Sequence, residues 1–340
     1  MPLVLDREQV LGLYAEAAER KWVLPTFNAE NLTTCEAILS AVLEYGQTID
    51  IPDLPVIIGI TNLYPPRPQS LYYTHTRQWQ VGLRLFLEEM KVLLSDTSPF
   101  AELRVMLHLD HIQWDMDAEI LHWDMCSFSS IMYDASNLPL QENIARTAAF
   151  REKYGHSVVV EGACDEIGKT GSANQMYLTS PDEAERYWKE TGVDIIVANL
   201  GTEHRAAASE LRYHAQLARE ITRRIKPCLC LHGTSSVPVD SLHNLFNDGI
   251  RKVNIWTVLE RESSALLFRE MVKNATKIVG HEEVKRMQRD GLLGPQAKTA
   301  ETASVEYFTT TYRQGIVFEK MKEIVTRYLK AFYRYKKEND

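Results

Sequence analysis

Along the chain, short and almost uninterrupted apolar runs alternate with longer stretches in which apolar residues recur at helical spacing. The runs suit strands covered on both faces, and the spaced stretches suit helices with one buried stripe. From Leu5 to Lys21 the apolar positions Val10, Leu13, Tyr14 and Ala17 predict a helix, and Trp22–Asn28 follows as a short apolar strand ending on a polar residue. A second helix is predicted from about Asn31 to Tyr45, with Thr33 and Glu36 at capping-box spacing. Further strands are predicted at Pro55–Thr61, Arg104–His111, Ser129–Ser136, Ser157–Ala163, Asp194–Thr202, Pro227–Thr234 and Arg251–Trp256. Helical patterns follow them at 76–94, 115–123, 139–154, 181–191, 208–225, 239–248 and 257–279.

Eight strands, each followed by a helix, predict an α/β fold, a closed (β/α)8 TIM barrel. A doubly wound open sheet is the alternative, but nothing Gly-rich follows the first strand. The expected division is a catalytic barrel over residues 1–280 and a C-terminal helical extension over 281–340. Within that extension, Val305–Lys337 carries two helical stretches and a basic end with Arg327, Lys330, Arg334, Lys336 and Lys337. It reads as a solvated helix face or as an oligomer contact through Tyr328, Phe332 and Tyr333, and a homo-oligomer is expected.

Composition narrows the class. Apolar residues at 45% and charged residues at 25% are ordinary globular usage and exclude wholesale disorder. The excess of 46 acidic over 38 basic residues, a formal charge of −8, argues against a nucleic-acid partner. No stretch approaches the roughly 18 apolar residues of a membrane span, and the first ten residues lack an apolar leader core, so a cytoplasmic protein without a membrane partner is expected. Cys35, Cys126, Cys164, Cys228 and Cys230 form no C-x-x-C pair and are expected to be buried free thiols.

The chemistry gathers at the C-terminal strand ends, which share one mouth in a barrel. Those ends carry Asn28, Thr61 with Asn62, Asp110 with His111, Asp134, Glu161, His204, His232, and Asn254 with Thr257. Three histidines from three strands would hold a zinc ion and leave its fourth position to substrate. In His108-Leu-Asp-His111, strict alternation sends His108 and Asp110 to one face and Leu109 and His111 to the other until the strand ends. His111 is assigned to metal and Asp110 to acid–base work.

Nine blocks in order, from Val23-Leu-Pro-Thr-Phe-Asn28 through His108-Leu-Asp-His111, Phe128–Ser136, Glu142–Ile144, Val160-Glu161, Thr191–Asp194, Gly201–His204, Leu231–Gly233 and Lys252–Ile255, resemble the class II, zinc-dependent fructose-bisphosphate and tagatose-bisphosphate aldolases. The likeness spans roughly residues 5–280. It implies a Zn²⁺ site at His111, His204 and His232, Asp110 as the acid–base group, and cleavage or formation of a carbon–carbon bond in a ketose through a metal-stabilised enediolate. It also implies a small-molecule sugar or sugar phosphate substrate, expected at Asn28, Gly201, Gly233, Asn254 and Thr257, with the Arg205 guanidinium and the Thr234 and Ser235 hydroxyls as this chain's own candidate contacts.

The chain departs from the family pattern where the phosphate is gripped. Arg205 follows His204 in place of glycine, His232-Gly-Thr-Ser-Ser236 replaces His-Gly-Gly-Ser-Gly, and Trp256 stands in the Asn-x-Asp-Thr motif. Glycines there permit close approach of main-chain N–H groups to an anion, so an altered substrate end is expected. After strand five, Asp165 and Glu166 are the nearest candidates for the enediolate proton donor. Tyr72, Tyr73 and His75 form a lid or a loop packed onto the barrel, Asp134 supports the site, and His214 and His243 carry no function. An isomerase or epimerase on the same barrel, or a non-catalytic sugar-binding homologue, is the alternative function.

Overall fold

The apolar runs form eight parallel strands, and the hydrogen-bonded order β1-β2-β3-β4-β5-β6-β7-β8 closes on itself. The computed structural model describes residues 2–123, 125–165, 178–202, 213–298 and 301–334. The strands are β1 (Leu24–Asn28), β2 (Pro55–Thr61), β3 (Arg104–Gln113), β4 (Ser130–Asp134), β5 (Val159–Ala163), β6 (Ile195–Val197), β7 (Leu229–Leu231) and β8 (Ile250–Ile255). Pairing of Leu24–Phe27 with Lys252–Ile255 joins β8 to β1 and completes the barrel. Among the described residues no helix is long and apolar enough to cross a membrane.

Helices wrap this sheet as α1 (Arg7–Glu19), α2 (Leu32–Thr48), α3 (Gln69–Tyr72), α4 (Trp79–Leu93), α5 (Leu140–Tyr154), α6 (Pro181–Thr191), α7 (Ala215–Arg224), α8 (Thr257–Lys273), α9 (Ala275–Val279), α10 (His281–Arg289), α11 (Val305–Phe308) and α12 (Thr310–Phe332). Their ends follow local chemistry. Asn31 caps α2 by accepting from the Thr34 N–H, so the expected Thr33/Glu36 box is displaced, with Thr33 already inside the helix. Ser180 and Glu183 form a complete capping box on α6, which has Pro181 in its first turn and ends at Gly192 with φ +67°.

Two expected helices are absent. The segment 115–123 holds only a 3₁₀ turn at Ile120–His122, because the Asp117 carboxylate accepts from the backbone N–H groups of Gln113 and Leu63 and from Asn62. The segment 239–248 is likewise a 3₁₀ turn, Val239–Asn244.

The C-terminal aromatics turn inward. Helix α12 packs along α2 and α8. Tyr328, Phe332 and Tyr333 are buried in the same apolar cluster as the barrel strands, which corrects their assignment to an oligomer contact. Tyr333 meets Trp22 edge-on at 5.0 Å and its carbonyl accepts from the Tyr45 hydroxyl at 3.0 Å. Cys35, Cys164, Cys228 and Cys230 are buried free thiols, whereas Cys126 is exposed, contrary to expectation.

Candidate active site

The site begins with an irregularity in β3. Leu109 pairs with Ile131 and Ile112 with Tyr133, so three steps along β3 match two along β4, and one residue bulges. His111 lies inside this bulge with φ +49°, a left-handed conformation that a non-glycine residue adopts only under constraint. The alternation of side chains resets there. Asp110 and His111 are both buried at the C-terminal mouth, where strict alternation would have separated them.

His232, from the end of β7, completes the group. Its ring stands nearly perpendicular to that of His111, with centroids 5.0 Å apart. Ligating atoms of Asp110, His111 and His232 all lie within 4.8 Å of one another. Each imidazole is steered by a carboxylate: His111 Nδ1 is 2.7 Å from Asp134 Oδ2, and His232 Nε2 is 3.1 Å from Glu161 Oε1. Carboxylates holding one ring nitrogen fix the tautomer and orientation in which the other nitrogen binds a metal. The donor chemistry therefore fits zinc. The third expected ligand, His204, lies outside the described residues, as do Arg205 and Glu166.

Asp110 is held by donors on both oxygens. Oδ2 accepts from Asn28 Nδ2 at 2.9 Å and from Arg67 Nη2 at 3.0 Å, and Oδ1 accepts from Asn254 Nδ2 at 3.1 Å, with His108 Nε2 at 3.5 Å. Burial opposes ionisation of this carboxyl, but His111, His108 and His232 outweigh it and hold it well below the usual range. Glu161, also fully buried, lies 2.9 Å from the Lys252 ammonium, which with His232 and His108 keeps its carboxyl low against the effect of burial. Glu161, Cys230 and His232 form a second group of donor type, but the Lys252 ammonium, 3.7 Å from Cys230 Sγ, already supplies the positive charge there.

Asn28, Asp110, Asn254 and Thr257 line one small cavity together with His232, Gly233, Thr234 and Ser235. Thr234 spends its hydroxyl on the Asn254 carbonyl at 2.9 Å, so its side chain ties β7 to β8. Gly201 turns the chain at φ +83° after β6 and does not line that cavity. His111 lines the neighbouring cavity of about 220 Å³, with Tyr64, Asp134 and Asp165 among its walls. Of the insertion aromatics, Tyr73 packs on Phe86 and hydrogen-bonds to Glu89, whereas Tyr72 and His75 are exposed.

Three site residues escaped sequence reasoning: Arg67, Gln69 and Lys252. Gln69 anchors the segment after β2 by accepting from the Thr61 N–H at 2.9 Å and donating to Glu30 at 2.7 Å. Arg67 rides on that anchored turn, with its guanidinium 4.7 Å over the Trp256 ring. The Pro65–Pro68 run signalled a turn, and nothing local signalled its aim. Lys252 carried one signal: in β8 it shares a face with Asn254, two residues on.

Comparison with known proteins gives concordant findings. The family model for class-II fructose-bisphosphate aldolase matches residues 8–333. A probable fructose-bisphosphate aldolase of Bacillus subtilis (strain 168) is 29% identical over 278 residues, covering 79% of this chain and 86% of its own. The D-tagatose-1,6-bisphosphate aldolase subunit GatY of Klebsiella oxytoca is 26% identical over 257 residues, covering 73% of this chain and 81% of its own. Among solved structures, a fructose-bisphosphate aldolase of Campylobacter jejuni superposes with a TM-score of 0.70 at 17% identity, over 97% of this chain and 95% of that one. The YdjI aldolase of Escherichia coli K12 gives 0.63 at 20% identity, over 94% of each chain. These structural likenesses speak to the fold; the family match over nearly the whole length places the chain in the class-II fructose-bisphosphate aldolases, whose named members are carbon–carbon lyases.

Proposed function

We propose that the protein is a zinc-dependent aldolase that cleaves or forms a carbon–carbon bond in a ketose, with a terminal-group subsite that differs from the family's. The observation that carries this reading is the bulge that turns Asp110 and His111 into one mouth opposite His232. His111 and His232, with His204, would hold the metal. Bound zinc supplies a Lewis acid that stabilises negative charge developing on a carbonyl oxygen.

The chain's own groups do the rest. Asp110 takes the proton from the substrate hydroxyl next to the scissile bond, and Asn28 and Asn254 fix the carboxylate's orientation for that transfer. Asp134 and Glu161 keep the two imidazoles in place. Asp165 is the candidate proton carrier: it lines the cavity beside His111, and burial pushes its carboxyl up, with Glu183 adding to the effect. The substrate is a sugar or sugar phosphate. Trp256 stands where the family has an aspartate, and fructose 1,6-bisphosphate is expected to fall at least about tenfold below the ~10⁴ to 10⁸ M⁻¹s⁻¹ kcat/KM usual for enzymes.

Metal analysis tests the reading first. About one zinc per chain is expected, most of it lost in His232→Ala, whereas Asp110→Asn should keep the zinc and lose roughly 10²- to 10⁴-fold in turnover. A metal-free preparation that is fully active, or an Asp110→Asn variant with near-normal turnover, refutes it. Product analysis separates cleavage from isomerisation, since cleavage gives two fragments and isomerisation one.

A further inference from the structure

We propose that Arg67 is the receptor for an anionic terminal group of the substrate, and that engaging this group draws its guanidinium away from Asp110. The proposal rests on the reading of the Asp110 mouth as the active site and names the class of substrate end it takes. Arg67 sits between Pro66 and Pro68, whose fixed φ angles stiffen the turn, and its carbonyl accepts from the Thr61 hydroxyl. The preceding Tyr64 stacks on the His111 ring at 4.2 Å, so the turn lies directly over the site. The Arg67 side chain is only 12% exposed, and its Nε is a buried donor with no acceptor among the described residues. A buried donor without an acceptor is unfavourable, and a ligand oxygen would relieve it.

The pairing with Asp110 gives the second half of the argument. As the structure stands, the carboxylate already accepts from Asn28, Arg67 and Asn254, with His108 close by. Oδ2 already takes both Asn28 and Arg67, so release of Arg67 frees a lone pair on that oxygen for a substrate proton. Asn28, His108 and Asn254 sit on barrel strands β1, β3 and β8; Arg67 alone sits on a turn, at the end of a long side chain. The cavity it lines has about 30 Å³, room for one water, so a phosphate or carboxylate can enter only if the guanidinium moves. Glu30 and Glu260 also act on Arg67, but Glu30 already accepts from Gln69 and Trp256.

Arg67 is the one arginine or lysine lining either mouth cavity among the described residues. The larger cavity offers Asp115, Asp134, Asn137 and Asp165 instead, partners for hydroxyl groups. A substrate with one anionic terminus and one neutral, hydroxylated end matches both.

The test is calorimetric binding of glycerol, glycerate and glycerol 3-phosphate to the zinc-loaded full chain. These ligands share a three-carbon frame and differ in terminal group, so the last two separate a carboxylate from a phosphate. At least one anion should bind about tenfold or more tighter than glycerol, as a charge-assisted hydrogen bond provides. R67M should bring that anion to within about threefold of glycerol, with R67K intermediate and thermal stability reporting that both variants fold. Trp256 emission should change on anion binding in the wild type, and that change should be missing in W256F. Equal binding of all three ligands by the wild type, or discrimination surviving in folded R67M, overturns the proposal. Binding is read without turnover, so anion recognition through Arg67 in a protein that cleaves no ketose would sink the aldolase reading alone.

Discussion

Replacing Lys252 by Met probes how the charges under the mouth are held. Lys252 and Glu161 are both fully buried, with Nζ and Oε2 2.9 Å apart, and Nζ also donates to Asn254 Oδ1 at 2.6 Å. At an effective dielectric of about 20, two unit charges at that separation attract by about 6 kcal/mol, much of which offsets the cost of removing both from water. Deleting the ammonium leaves the Glu161 carboxylate buried, with the His232 and His108 imidazoles but no full counter-charge beside it. A loss of about 3–5 kcal/mol in unfolding free energy is expected. At about 2–4 °C per kcal/mol for a chain of this order, melting should fall by about 6–20 °C. Adding Glu161→Gln removes the stranded charge, so the double variant should recover about 1–3 kcal/mol relative to the sum of the single variants. Urea unfolding at pH 7 and fixed metal content measures all three. A Lys252→Met loss below about 1 kcal/mol, or strict additivity in the double variant, would show that the pair does not carry the burden assigned to it.

The left-handed backbone at His111 predicts an inverted glycine effect: in metal-free protein, His111→Gly should melt above His111→Ala by about 1 kcal/mol, and an alanine variant as stable as the glycine one contradicts the φ of +49°. Glu260 predicts a pH signature. Burial and Glu30 push its carboxyl up to about 7 against the opposing Arg67, above the ordinary 4.5, so folded stability should fall as pH rises from about 4.5 to 7 and then level. Glu260→Gln should therefore be more stable than the wild type at pH 8, by on the order of 1 kcal/mol, and equal to it at pH 4; an equal gain at both values rules out that titration.

The architecture was legible because burial on both faces leaves a composition signature. Runs such as Val-Ile-Ile in β2 and Val158-Val-Val160, which leads into β5, are apolar without alternation, and each marks a barrel strand. Strand lengths were less legible: β6 was expected over Asp194–Thr202 and spans Ile195–Val197, because a strand ends where its neighbours stop pairing. The segments at 115–123 and 239–248 had helical spacing, but tertiary hydrogen bonds such as those to Asp117 outweighed it in the first.

Within the site, residue type and position at strand ends singled out Asp110, His111 and His232 as candidates, since few side chains bind metals or move protons, and the fold brings these three together. Their convergence depended on a bulge that no local pattern announces. One residue inserted against β4 overrides the alternation that would have put Asp110 and His111 on opposite faces. Arg67 and Lys252 illustrate the same limit. A sequence shows that a cation is present, but its partner is set by distance in the folded chain: Arg67 meets Asp110 across 43 positions, and Lys252 meets His108 across 144. The chemical repertoire is local, whereas the pairing that gives each charge its role exists only once the barrel has closed.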